Sequence, residues 1–141
     1  MAGEVTEVAE AAGRRRPAVI LPNDDDLAYA KLRLDDASWE AASTRLKDVD
    51  GSLARTLLWG AAWDTVRDGE ASAAWFVDLV LANVGHERDS SVVQTLLRQL
   101  ATAIGLYLPE DQAEAVRVAA ADRLWGLSLI HISEPTRPLY I

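Results

Sequence analysis

The apolar positions of this chain change their period at Asp35-Asp36. Before that point they come in short runs; after it they recur at helical spacing. Trp39, Ala42, Leu46 and Val49 stand at i, i+3, i+7 and i+10, which predicts a first helix opening on an Asp35 or Asp36 cap whose carboxylate accepts a first-turn N–H. Asp50-Gly51-Ser52 ends that helix and caps a second over 52–68. Leu53, Leu57 and Ala61 lie on one side of it and Trp59, Trp63 and Val66 on the other, so it is expected to be buried on two faces, with Trp59 and Trp63 between neighbouring helices. A third helix over 70–84 carries Trp75, Phe76, Leu79, Val80 and Leu81 with Asp78 as its one acid, and Gly85 stops it. One glycine, Gly69, separates the second and third helices, which predicts an antiparallel hairpin. A fourth, over 90–107, sets Val93, Leu97, Leu100 and Ile104 against Gln94, Thr95, Arg98 and Thr102, the pattern of a surface helix. Leu108-Pro109 breaks it. A fifth, over 110–125, has Val116, Ala120 and Leu124 on one stripe and acids in its first turn, where the helix dipole favours them.

Ahead of the helices, Ala18-Val19-Ile20-Leu21 and the run from Ala28 to Leu34 read as two short strands. Asn23-Asp24-Asp25-Asp26 between them is a turn by residue type, because Asn and Asp side chains bond their own backbone and tolerate left-handed conformations. A calcium loop there would need carboxylates at alternate positions, a glycine at the bend and a distal glutamate, and this run has none of these. Arg14-Arg15-Arg16 is short enough to read as a solvated linker rather than an anion site. After Gly126 the segment LSLIHISEPTRPLYI loses helical period and brings in two prolines. LSLIHISEPTR looks like a translated reading frame of a transposase sequencing adapter, so 127–141 is expected to be an artefactual tail outside the fold.

The expected architecture is therefore mainly α, with stacked helical hairpins of a HEAT-like α-solenoid fragment preceded by a short β element. Residues 1–35 form a linker with short strands, 36–126 the helical unit and 127–141 the tail. A length of 141 residues suits one domain with a real core. The net charge of −8 lacks the basic footprint of a nucleic-acid binder and repels anionic lipid. Glu134 and Arg137 cancel, so the tail does not alter that balance. With no cysteine, no apolar run long enough to span a bilayer and no signal-like start, cytoplasmic residence without nucleic-acid or membrane partners is expected.

Candidate chemistry is sparse. Catalysis needs a nucleophile, an acid–base pair or a metal held by spaced ligands. The histidines are His86 and His131, and His86-Glu87 begins like half of an HExxH helix, but Ser90 stands where the second histidine belongs. No glycine pattern forms a phosphate loop. Trp39, Trp59, Trp63 and Trp75 stand at core rather than cage spacing. No catalytic, cofactor-binding or metal-ligating residue is assigned.

LPNDDDLAYAKLRLD, followed by SLARTLLWGAAWDTVRDGE and a series of paired helices, resembles the C-terminal region of bacterial aminopeptidases of the M1 zinc metallopeptidase family. The likeness covers about residues 5–126, and NDDDLAYAK with WGAAWD is its most specific part. The resemblance implies a passage from a small β-sandwich into an all-helical C-terminal domain like that of the endoplasmic reticulum aminopeptidases, which caps an active site built elsewhere. It also implies zinc in the parent enzyme, the catalytic and β-sandwich domains as partners, and peptide as the parent's substrate. The family's HExxH helix, distal glutamate ligand and GAMEN-type motif are missing from this sequence, so no catalytic residue carries over and the chain alone is expected to be inactive. Low lysine use, Lys31 and Lys47 only, suits a high-GC bacterial genome. The competing reading is a free-standing helical-repeat module that binds a partner protein.

Overall fold

The computed structural model describes residues 7–132, with side chains through residue 127. Its helices are α1 (Asp36–Arg45), α2 (Ser52–Arg67), α3 (Ala73–Asn83), α4 (Ser90–Thr102) and α5 (Glu110–Ile132). Short 3-10 turns continue α1 over Leu46–Asp48 and α3 over Val84–His86, and a π turn continues α4 over Ala103–Tyr107. The described chain is mainly helical, as its periodicity predicts.

Three helices start on side-chain caps that the sequence supplies. Asp35 accepts the Ser38 N–H at 2.9 Å, Ser72 accepts that of Trp75 at 3.2 Å, and Asp89 accepts those of Ser91 and Val92 at 2.9 and 3.4 Å. Ser52, expected to cap α2, is instead its first residue; Gly51 takes the cap position and makes no side-chain bond. The end of α2 is fixed by its backbone. The Gly69 N–H donates to the Val66 carbonyl at 3.0 Å and the Glu70 N–H to that of Thr65 at 2.9 Å, the paired closure of a Schellman motif. Gly69 sits there at φ 77°, which a residue with a Cβ adopts only under strain. The chain therefore reverses within five residues and α3 returns against α2, the expected hairpin.

The core is built around α3. Phe76, Val77, Leu79 and Val80 are buried, Trp75 and Leu81 are half-buried, and Asp78 stays exposed. The helix packs against α1, α2, α4, α5 and the π turn. The α1 stripe meets expectation, with Ala42 and Leu46 fully buried and Trp39 and Val49 packed beside them. Trp39 and Trp75 meet edge to face at 5.2 Å. On α2 the buried arc is Leu58, Trp59, Ala61, Ala62, Thr65 and Val66, while Leu53 near its start is exposed. Trp59 is buried as expected; Trp63 is half-buried, stacked obliquely on Phe76 at 5.1 Å and Tyr107 at 6.0 Å.

Several expectations need correction. The deep positions of α4 are Leu96 and Leu100, and Leu97 is exposed. Because α4 packs on α2 and α3 together, its buried arc keeps Leu100 and Ile104 of the stripe read off the sequence and takes in Leu96 and Ala103 in place of Leu97, a shift of less than one residue step round the helix. The fifth helix does not stop near Trp125. It continues through Gly126 to Ile132, because Leu127 falls on the same stripe as Val116, Ala120 and Leu124 and packs against the core, close over Gly85. Residues 133–141 lie outside the described residues.

The two strands expected at 18–21 and 28–34 are absent from the described residues. A strand needs a backbone partner, and here the polar groups go elsewhere. The Ile20 N–H donates to Ser38 Oγ at 3.0 Å, and the Asn23 side chain bridges to both the N–H and the carbonyl of Ala28 at 2.8 Å. Leu32 and Leu34 drop into the core, while Lys31 and Arg33 clasp Asp68 and Glu70 at the end of α2. Arg16 also departs from its linker reading: it pairs with Asp35 and reaches Ser38 Oγ at 3.1 Å, tying the N-terminal segment to the start of α1.

Truncating the centre of α3 should be the costliest single change. Phe76→Ala is expected to lose about 3–5 kcal/mol in urea unfolding, whereas Tyr29→Ala, at a wholly exposed site, should leave the midpoint within error. Acid should also act through three carboxylates. The Ser38 backbone N–H holds the Asp35 carboxyl below its ordinary value, the Ser91 hydroxyl does the same for Asp89, and the Lys31 ammonium for Asp68. A depressed folded-state value favours the charged form on folding, so this stabilisation is complete above the ordinary carboxylate range and is lost as pH falls through the lowered values. Urea midpoints should be flat near neutrality and drop on acidification, and a combined Asp35→Asn, Asp68→Asn, Asp89→Asn variant should show a shallower acid limb.

Candidate functional site

The acidic run Asp24-Asp25-Asp26 is a closed turn. The Asp26 N–H donates to the Asn23 carbonyl at 2.9 Å, Asn23 and Asp26 both take positive φ (58° and 53°), and the three carboxylates are exposed rather than convergent. The two members of His86-Glu87 part company. His86 is exposed, while the Glu87 side chain is 2% exposed and accepts from Arg55 Nε at 2.6 Å. Arg55 also donates to the Val49 carbonyl at 2.9 Å, so this buried pair fastens the α3–α4 connection to the start of α2. Sequence reading missed that role because an arginine and a glutamate 32 residues apart carry no local signal. Among the described residues no group of three or more His, Asp or Glu side chains stands close enough to hold a metal ion. The described residues therefore do not fit a zinc centre, which takes three convergent protein ligands.

Three other polar groups serve the fold. Asn83 is buried and donates to the Ser43 carbonyl at 3.1 Å, linking α3 to α1. Ser38, fully buried, joins Arg16, Ile20 and Asp35. Arg33 lines a cavity of about 390 Å³ with Trp39, Glu70 and Trp75, but the hydrogen bonds it donates to Glu70 and Asp68 raise its pKa, so its charge is already matched within the chain.

What the molecule offers instead is apolar surface in two places. Leu27 and Tyr29 stand almost wholly exposed, two residues apart on one side of the segment leading into α1. Across the chain, α4, the π turn and α5 enclose an apolar groove of about 340 Å³, floored by Ala101, Gly105, Ala120 and Ala121 between Leu97 and Leu124. Beside it Val118 and Trp125, the latter 69% exposed, continue the Ala121 stripe of α5, and Leu106 projects from the π turn. Small residues at a groove floor allow a helix to approach closely, and exposed apolar stripes of this kind mark contact surfaces.

A family model described as "ERAP1-like C-terminal domain" matches residues 19–129. Aminopeptidase N of Streptomyces lividans is 46% identical over 114 residues, which is 81% of this chain but 13% of that protein. The chain thus spans about an eighth of the length of the curated relative it matches. With most of its residues, from Val19 through the greater part of α5, inside the match, the chain belongs to the ERAP1-like C-terminal domain family.

Proposed function

We propose that this chain is a non-catalytic part of a zinc-dependent aminopeptidase of the M1 kind, one that removes N-terminal amino acids from peptides, and that its helices help to cap an active site carried by the rest of the enzyme. The observation that carries this reading is the outer face of α5. A helix that ends an array of stacked hairpins has a polar outer side, whereas α5 exposes Val118 and Trp125 beside the small Ala115, Ala119 and Ala121. That face suits an interior position in a longer solenoid with a further helix packed on it. Leu27 and Tyr29 suit the other junction, where 28–34 completes a strand of a preceding β-sandwich domain and so forms the short β element that finds no partner among the described residues. Residues 1–35, 36–126 and 127–141 remain the proposed divisions, with Arg16, Leu32 and Leu34 tying the first to the helical unit and α5 carrying Leu127 of the adapter-like last onto the core, and the enzyme works in the cytoplasm. Catalytic zinc and its ligands belong to the parent's other domains.

Two measurements test it. After dialysis the purified chain is expected to retain no zinc and to leave aminoacyl-anilides uncleaved; one retained equivalent with chelator-sensitive turnover would overturn the assignment. The chain should also associate with Streptomyces lividans aminopeptidase N from which the matching 114 residues have been removed. Combining Leu27→Asp, Tyr29→Asp and Trp125→Glu should weaken that association by more than about tenfold, the scale of 1.4 kcal/mol. No association, together with a chain that binds no apolar dye, would favour the free-standing module instead.

A further inference from the structure

α2 and α4 face each other across a cleft of about 250 Å³ that has no part in the two apolar surfaces above. Its floor is Trp59 and Leu96, both buried, and its rim is Thr56, Gly60, Ser91, Thr95 and Gln99. Two buried polar atoms on these residues have no partner among the described residues, the Trp59 indole Nε1 and the Gln99 Oε1. One is a donor and the other an acceptor, and each left unsatisfied costs about 1–3 kcal/mol. Trp59 is 3% exposed, so its position is set by the core rather than by solvent.

Gly60 provides an independent observation. It lies in the middle of α2, where glycine weakens a helix relative to alanine. Its backbone does not require a glycine, and a Cβ built on it meets nothing within 4 Å. Neither helix formation nor packing inside the chain explains the residue. Its place on the rim of the cleft does, because glycine is the residue that lets another molecule come close to a backbone.

We infer that this cleft binds a ligand through a carboxamide group, whose carbonyl accepts from the Trp59 indole and whose N–H donates to the Gln99 side chain while its apolar substituent lies over Gly60 and Leu96. A carboxamide carries one acceptor and one donor side by side, the complement of the two orphaned atoms, and the remaining wall is apolar or hydroxylic. Both atoms are closed to bulk water, so entry requires Gln99 to turn; that side chain is half-buried, unbranched and on the rim. The inference rests on the α2–α4 geometry alone and not on the aminopeptidase reading.

The test is a titration of the full chain with isobutyramide, followed at the tryptophan indole N–H signals, that of Trp59 being identified by its loss in Trp59→Phe. The Trp59 signal should move saturably while those of the other tryptophans stay still. Isopropyl methyl ketone, which keeps the shape and the acceptor but lacks the donor, should bind about tenfold more weakly, as expected for the loss of one hydrogen bond. Gln99→Leu should abolish the difference between the two probes. Gly60→Ala should raise the Tm and yet abolish binding, a combination that a purely structural role for Gly60 does not produce. The inference is overturned if the Trp59 signal does not saturate, if amide and ketone bind alike, or if Gly60→Ala binds isobutyramide as the parent chain does.

Discussion

Everything in this molecule is arranged to surround one helix. α3 carries Phe76, Val77, Leu79 and Val80 buried, with Trp75 and Leu81 packed beside them, and Asp78 is its single charged position. A helix that is apolar over most of its circumference is stable only when neighbours cover it on several sides. α1, α2, α4 and α5 all do so. The tight Schellman turn at Gly69 lays α2 against it from one direction, and α5 reaches it from the far end of the chain. Because hydrophobic burial has no direction of its own, this demand alone does not fix which face each neighbour presents.

Direction comes from a small number of polar ties. Asn83 holds α3 to α1 through the Ser43 carbonyl, Arg55 holds the start of α2 to Glu87 beyond the end of α3, and Ser38 gathers Arg16, Ile20 and Asp35 at the start of α1. Each is a polar group taken at least partly out of water, and breaking one partner leaves the other unsatisfied, a larger loss than the net worth of the bond. Such ties act mainly as register marks: they penalise alternative packings of the same apolar surfaces. They also explain why His86-Glu87 is not the beginning of a metal site, since the glutamate is committed to Arg55.

Most of the chain's buried polar groups are satisfied, Trp59 Nε1, Glu87 Oε2 and Gln99 Oε1 excepted, and its surface is not uniformly polar. Leu27 and Tyr29, and Val118 and Trp125 beside the α4–α5 groove, remain exposed. The chain belongs to the ERAP1-like C-terminal domain family and matches 13% of a longer relative, which is the basis on which we propose neighbouring domains as the counterparts of these surfaces.

The sequence by itself determined the helices, the Asp35 cap of α1 and the Gly69 turn between α2 and α3, because 3.6-residue periodicity and these residues act within a few positions of one another. It also determined the family, through LPNDDDLAYAKLRLD and WGAAWD, and the lack of a spaced ligand set. Only the tertiary structure decided which of two adjacent leucines on α4 is buried, because Leu96 and Leu97 differ by one helical step and the choice depends on packing against α2 and α3 at once. It likewise decided that α5 runs past Gly126, where contact between Leu127 and the core outweighs a glycine's local preference. It decided that 18–21 and 28–34 take no strand pairing among the described residues, since pairing requires a second segment that these residues do not place beside them. The Arg55–Glu87 pair and the cleft between Trp59 and Gln99 belong to the same class: residues 32 and 40 positions apart meet only after the helices have packed, and no local pattern in the chain records the meeting.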